Sequence, residues 1–389
     1  MSIYEFSSPP EAGDGEEVLT PILLGEVQDD QSDIRLIKLI VSVTLGITLV
    51  LAAGYLAAVV LSDGAILMRP SEVAMERHET YNTLVQPASG LTGNGVVACI
   101  VDSGITPDHT DLEGINLVGW KDFVNGNGQP YDDHGHGTSM AGILVANGWL
   151  KGVAKEVDLL VAKALGGDGS GNDETVAEAI DWCAENGAHV ISLSLGGAPG
   201  ILPFTLGSGR SSGDAANDAI DLGIYVVAAA GNDGEDDDGD VAHPSSEVGV
   251  ISVGGVTIKG THWSGSSKGD NNGRLLPLPV LMPRGDPNKK PEIVAPAEGV
   301  PVLLNDGGWG IADGTSAATV YVTGALCLLL EEKPDLRADQ SDGGADNVDT
   351  VKRLLKDSAV PQEGQTTHDD YYGYGLLSIR GLIEDATQG

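Results

Sequence analysis

From residue 94 onward, short apolar runs alternate with stretches whose apolar residues recur at helical spacing. "GVVACIVDSG" (95–104), "DLLVAKAL" (158–165), "HVISLSLGG" (189–197), "IYVVAAAGN" (224–232) and "VGVISVGGV" (248–256) are β-rich runs that close on or near Gly, Asp, Ser or Asn. Between them, "NDETVAEAIDWCAENG" (172–187) and "SSGDAANDAIDLG" (211–223) carry helical patterns. The first has Asn172 or Asp173 as N-cap and Gly187 as its stop. Near-continuous apolar strands separated by helices predict an α/β domain of three layers, a mostly parallel central sheet covered by helices on both faces. Function in such sheets gathers beyond the carboxyl ends of the strands. That rule singles out Asp102, Ser194 and Asn232.

Upstream the pattern changes. "LIVSVTLGITLVLAAGYLAAVVL" (39–61) is a run of 23 residues without a charge. As a helix at about 1.5 Å per residue it reaches roughly 34 Å, enough to cross a hydrocarbon core of roughly 30 Å. A leader of over 30 residues precedes it, which favours a retained anchor over a cleaved signal peptide. Arg35 and Lys38 stand just before the span, and the next basic residue is Arg69. The positive-inside rule therefore places the N-terminus in the cytoplasm and everything after residue 62 outside the cell membrane. The predicted organisation is an acidic disordered tail (1–34), a transmembrane anchor (35–61), a juxtamembrane linker (62–90) and one large domain (91–389).

Charge narrows the partners. Asp+Glu number 57 against 21 Lys+Arg, a net charge of −36, and the first 33 residues hold nine acids with no Lys or Arg. The remainder keeps 48 acids against 21 bases, a net of −27. Nucleic acid and anionic membrane surfaces are poor partners for such a chain. The distributed excess with few lysines points to a surface adapted to concentrated salt, where at about 1 M the Debye length is roughly 3 Å. Cys99, Cys183 and Cys327 lie far apart among apolar neighbours and are expected as buried free thiols.

Taken together, the segments resemble those of subtilisin-like serine proteases, the subtilases. "VACIVDSGI" resembles the aspartate segment, "DDHGHGTSMAG" the histidine segment, "SLSLGG" and "AAAGN" the substrate and oxyanion strands, and "KPEIVAPAEGV...GWGIADGTSAA" the serine segment. Five in order, over about three quarters of the chain, imply a subtilisin-like fold and an endopeptidase. The chain order Asp102, His136, Ser316 is that of subtilisin. The resemblance implies that Ser316 attacks, His136 acts as general base and then acid, and Asp102 orients the imidazole. His136, rather than His134, begins the "HGT" that the family motif requires. Ser139, in "GTSMA", imitates the nucleophile motif but lies one helical turn from His136, on the same face. The oxyanion hole implied is the Ser316 main-chain N–H with Asn232.

The same resemblance gives a peptide cleft. Ser194, Leu195 and Gly196 form one edge and Gly169, Ser170 and Gly171 the other, so an extended peptide is held as an added strand. Ala228, Ala229, Ala230 and Gly231 line the pocket for the residue before the scissile bond, with Ala242 at its far wall. The loop "DGEDDDGD" (233–240) reads as a solvated acidic loop, with basic substrates or calcium as its alternatives. The chemistry requires no cofactor, no metal ligands are assigned, and structural calcium is left unassigned. Partners are protein or peptide substrates and, through residues 39–61, the membrane. Three departures stand out: Val320 replaces a usual proline, the loop "NGWLKG" (147–152) is short where some members build a calcium site, and residues 62–90 are too few for a folding prodomain. A catalytically silent peptide-binding relative is the alternative; an esterase is disfavoured because no G-x-S-x-G surrounds Ser316.

Overall fold

The seven strands of the main sheet are β1 (Val97–Asp102), β2 (Asn116–Asp122), β3 (Asp158–Lys163), β4 (Val190–Leu193), β5 (Tyr225–Ala229), β6 (Ile251–Val256) and β7 (Ile293–Pro296). They lie in the order β2-β3-β1-β4-β5-β6-β7, every neighbouring pair parallel. The computed structural model describes residues 31–61, 69–197, 209–234, 240–269, 284–340 and 343–388. Most of the tail, the first part of the linker (62–68) and most of the acidic loop (235–239) lie outside the described residues.

The apolar runs became strands because both sheet faces are covered. Residues 98–102 of β1 are all buried, as are all residues of β4 to β7, and each large aliphatic side chain so buried contributes roughly 1.5–3 kcal/mol. Helices α3 (His136–Val145) and α6 (Thr315–Glu332) pack together on one side. On the other, α4 (Asp173–Glu185) packs with α5 (Ser212–Asp221). The predicted cap of α4 forms: Asn172 Oδ1 accepts from Thr175 N at 2.8 Å, and Gly187 (φ 80°) follows the helix end. Ser211 and Asp214 form a reciprocal capping box on α5. Residues 315–330 of α6 are buried all round, so this helix is apolar on every face.

The polar pattern of β2 and the brevity of β7 hid both from periodicity. β2 is an edge strand that alternates toward solvent, and β7 has four residues. Strands β8 (Val300–Leu303) and β9 (Trp309–Ala312) form an antiparallel hairpin. Helices α7 (Ala345–Ser358) and α8 (Ile379–Gln388) close the chain.

Two expectations are corrected. Cys99 of β1 and Cys183 of α4 are not free thiols: they form a disulfide, with Cα atoms 5.9 Å apart across 84 residues of sequence. Cys327 is free and buried as expected, and burial pushes its thiol up. The second part of the linker is also structured. Helix α2 (Glu72–Leu84) packs against β8, and Tyr81 and Val85 belong to the hydrophobic core. Helix α2 thus belongs to the same compact unit as the large domain. In the N-terminal unit, helix α1 (Gln31–Leu61) has a stretch, Ile34–Val60, long and apolar enough to cross a membrane or to serve as a signal sequence.

Candidate active site

Connections leave β1 toward β2 and β3, and leave β4 in the opposite direction toward β5, so the sheet's topological switch lies between β1 and β4. Asp102 ends β1 and Ser194 follows β4. Asp102 is fully buried. Its carboxylate accepts from Ser103 N at 2.7 Å and stands 2.8 and 2.9 Å from His136 Nδ1. The Asp102 charge raises the His136 pKa above 6.5, against the opposing effect of burial.

His136 opens α3, and its position depends on how that helix start is satisfied. Gly135, the N-cap, adopts φ 100° and offers no side-chain cap. The orphan N–H groups are met from elsewhere: Gly137 N donates to Ser103 Oγ (2.9 Å) and Thr138 N to Asp132 Oδ2 (2.8 Å). Gly137 lies so close to β1's exit that a Cβ would stand 2.1 Å from Gly104 O. Asp132 is the node of this network. It also accepts from Ser103 Oγ (2.9 Å), Gly135 N (2.7 Å), His134 N (3.2 Å) and Thr138 Oγ1 (2.7 Å). Burial alone would raise its pKa, but these hydrogen bonds, led by Thr138, hold it below the ordinary value.

Lys163 faces Asp102 across the β1–β3 ladder and is fully buried. Its ammonium donates to Ser103 O (2.6 Å) and Leu165 O (2.9 Å) and pairs with Asp133 Oδ1 (2.6 Å). Asp132 and Lys163 are not among the sequence-predicted site residues. A lysine inside the apolar run "DLLVAKAL" was the available signal.

Ser316 stands in the first turn of α6, where main-chain N–H groups lack intrahelical acceptors. Its Oγ donates to Ser194 O (3.0 Å), and Ser194 Oγ donates in turn to Ser316 O (3.1 Å). The structure thus joins Asp102 to His136 and Ser316 to Ser194, and the Ser316 hydroxyl is turned toward Ser194 rather than bonded to His136. Asn232 Oδ1 accepts from Thr315 N (2.9 Å) and Thr315 Oγ1 (3.0 Å), which leaves its Nδ2 as the outward donor. Asn232 Nδ2 and Ser316 N lie 3.7 and 3.8 Å from the point a Gly314 Cβ would occupy, so both donors border the space beside Gly314.

The subtilase family model matches residues 93–375. The chain is 31% identical to subtilisin DY of Bacillus licheniformis over 301 residues, covering 76% of this chain and 94% of that protein. It is 32% identical to subtilisin Savinase of Lederbergia lenta, covering 74% and 91%. This chain belongs to the subtilase family. Among solved structures, a cold-adapted subtilisin-like serine proteinase aligns with a TM-score of 0.58 at 26% identity, over 75% of this chain and 91% of that one. A mutant of the protease domain of PatA, at 22% identity, shares the fold with a TM-score of 0.60, over 78% and 99%. The subtilase at hand is accordingly a subtilisin-like serine protease.

In this subtilase the two histidines and two hydroxyls in "HGHGTSMAG" separate cleanly. His134 is exposed and lies over Gly169, its ring centroid 6.2 Å from that of His136. Ser139 is buried and donates to Leu303 O (2.7 Å), so its hydroxyl is committed to β8. Of the edge 169–171, Ser170 turns its main-chain groups inward, its N–H to Asp168 Oδ1 (3.0 Å) and its carbonyl to Gly166 N (2.8 Å). Gly169, at φ 75°, closes a turn in which its N–H donates to Gly166 O (2.9 Å). Opposite, Leu195 is half-buried and Gly196 exposed. Ala228, Ala229 and Ala230 are buried, and the Ala242 methyl would stand 2.8 Å from a Cβ at Gly196 and 3.3 Å from one at Gly231, which closes the space between them.

Asp111, beside the short loop 147–152, is buried and accepts from Trp149 N (2.9 Å), Leu150 N (2.8 Å) and Trp309 Nε1 (2.9 Å). Its carboxylate is therefore met by N–H donors. No group of three or more metal-ligating side chains occurs among the described residues. Val320, in place of the usual proline, is buried within an unbroken α6.

Proposed function

We propose that this subtilase is a membrane-anchored endopeptidase that cleaves protein or peptide substrates through Asp102, His136 and Ser316. The pairing of half-buried His136 with the buried Asp102 carboxylate, together with a first-turn serine whose own N–H and Asn232 Nδ2 border one space, carries the reading. Neutral His136 takes the Ser316 proton once the hydroxyl turns from Ser194 O, a contact that substrate replaces; such bonds tighten only in the Michaelis complex. Ser316 Oγ adds to the scissile carbonyl. Its oxyanion is held by Ser316 N and Asn232 Nδ2. His136 then protonates the leaving amine, and water, activated by the same imidazole, hydrolyses the acyl-enzyme. The segments Gly169–Gly171 and Ser194–Gly196 hold the peptide as an added strand, with Ala229, Ala230 and Gly231 around the residue before the scissile bond.

The anchor is α1, with Arg35 and Lys38 on the cytoplasmic side and the peptidase outside. A buried disulfide within the peptidase unit supports that placement, because disulfides persist in oxidising compartments. Net charge of −36 supports a protein that folds and works in molar salt; full stability in dilute buffer would contradict it. The deciding test applies a serine-reactive phosphonate and a casein assay to wild type, Ser316→Ala and Ser139→Ala. Ser316→Ala loses labelling and about 10⁶-fold in kcat, the magnitude of the subtilisin example, while Ser139→Ala still labels. A folded wild type that neither labels nor cleaves would instead favour a peptide-binding protein.

A further inference from the structure

The turn leading into Ser316 is held from behind by the helix that follows the anchor. Arg77 and Tyr81, one turn apart on α2, both reach the Glu298–Gly299 turn. Tyr81 OH donates to Glu298 O, and Arg77 Nη1 donates to Glu298 O (3.5 Å) and Gly299 O (3.2 Å). Gly299 sits at φ 65°, a conformation that favours glycine, and a Cβ there would stand 2.2 Å from Arg77 Nη1, so a side chain would push the guanidinium aside. The other end of the same peptide unit points at the serine segment. Gly299 N donates to the Asp313 carboxylate (2.5 Å), and Gly314 N donates to Ala297 O (2.8 Å). A cation and a phenol thus polarise the carbonyl of one peptide whose N–H meets an anion, an arrangement in which each bond strengthens the next. Asp313 and Gly314 immediately precede Thr315 and Ser316, and both Asn232 Nδ2 and Ser316 N lie within 4 Å of the point a Gly314 Cβ would occupy.

We propose that Arg77 and Tyr81 are positioning residues for Ser316, acting through the Glu298–Gly299 peptide on Asp313 and Gly314. The proposal rests on Ser316 being the nucleophile. It makes α2 part of the working enzyme rather than a spacer between anchor and peptidase.

The test uses the full chain in detergent and molar salt, with active sites titrated by a fluorescent phosphonate and kcat and KM measured on a peptide anilide. Arg77→Met lowers kcat per labelled site about 10-fold, within the range a sub-ångström to 1 Å misplacement produces, while KM stays unchanged. Arg77→Lys, which still offers a cationic donor, restores most of the loss. Tyr81→Phe and Asp313→Ala each lower kcat per labelled site without removing core volume, and they decide the matter if Arg77→Met does not fold. Because the residues act along one route, Arg77→Met combined with Asp313→Ala falls no further than the worse single variant. A reduced labelled fraction with unchanged kcat per labelled site, or fully additive losses, overturns the proposal. Labelling that survives Ser316→Ala would sink the nucleophile assignment itself, a separate outcome.

Discussion

Replacing Asp132 by Asn changes one oxygen at the node that fixes the start of α3. If the Asn oxygen takes the place of Oδ1, it still accepts from Ser103 Oγ, His134 N and Gly135 N. The amide nitrogen then faces Thr138 N–H, which loses its acceptor in a buried setting. An orphaned buried donor costs about 1–3 kcal/mol, and the change from a charged to a neutral acceptor weakens each remaining bond by roughly 0.5–1 kcal/mol. The expected loss is about 2.5–6 kcal/mol, reaching the exceptional end for one substitution. Its pH dependence follows from the depressed pKa of Asp132. A carboxyl whose folded pKa lies below its unfolded value contributes stability that is present above the unfolded value, about 3.9, and lost as pH falls through the folded pKa. The gap between wild type and Asp132→Asn, measured by urea unfolding at fixed salt, is therefore full at pH 5 and above and shrinks in stronger acid. A gap below about 0.5 kcal/mol, the range of ordinary surface changes, or one indifferent to pH, would refute the network as drawn.

Asn232→Ala lowers kcat about 10²- to 10³-fold with KM little changed, since the lost donor acts mainly on the developing oxyanion; an equal rise in KM would argue against that role. Because the Asp102 charge raises the His136 pKa, the acid limb of kcat/KM lies above pH 6.5 in wild type, and Asp102→Asn moves it down while kcat drops about 10⁴-fold. The sign for stability is opposite to that of Asp132: the His136–Asp102 contribution is complete below about pH 6.5 and fades as pH rises through the elevated pKa, which pH-dependent unfolding of the two proteins checks. Cys99→Ala with Cys183→Ala costs about 2–5 kcal/mol in denaturant unfolding; unchanged stability, or three free thiols instead of the single one of Cys327 titrated in the unfolded wild type without reductant, would show that the bridge is not made.

The alternation of apolar runs and helical stretches was enough to specify parallel strands, the capped helix at 173–185 and a helix long enough to cross a membrane, because those signals are carried by residues within a turn or two of one another. The strand ends also pointed to Asp102, Ser194 and Asn232 as candidates, and the family motifs to His136 and Ser316. Other features depended on what lies across a packed interface. Cys99 meets Cys183 across 84 residues because β1 and α4 pack together, a distance no local pattern spans. Gly135 cannot cap its own helix, so the caps of α3 come from Asp132 and Ser103, and only the fold brings Ser103 there. In a chain with 21 basic residues, Lys163, Lys290 and Lys352 are buried, the last two on one carboxylate, Glu292, at 2.9 and 2.8 Å. Composition counts such cations as surface, whereas burial is decided by whether carbonyls and a carboxylate wait in place to replace water, and that is a property of the tertiary structure alone.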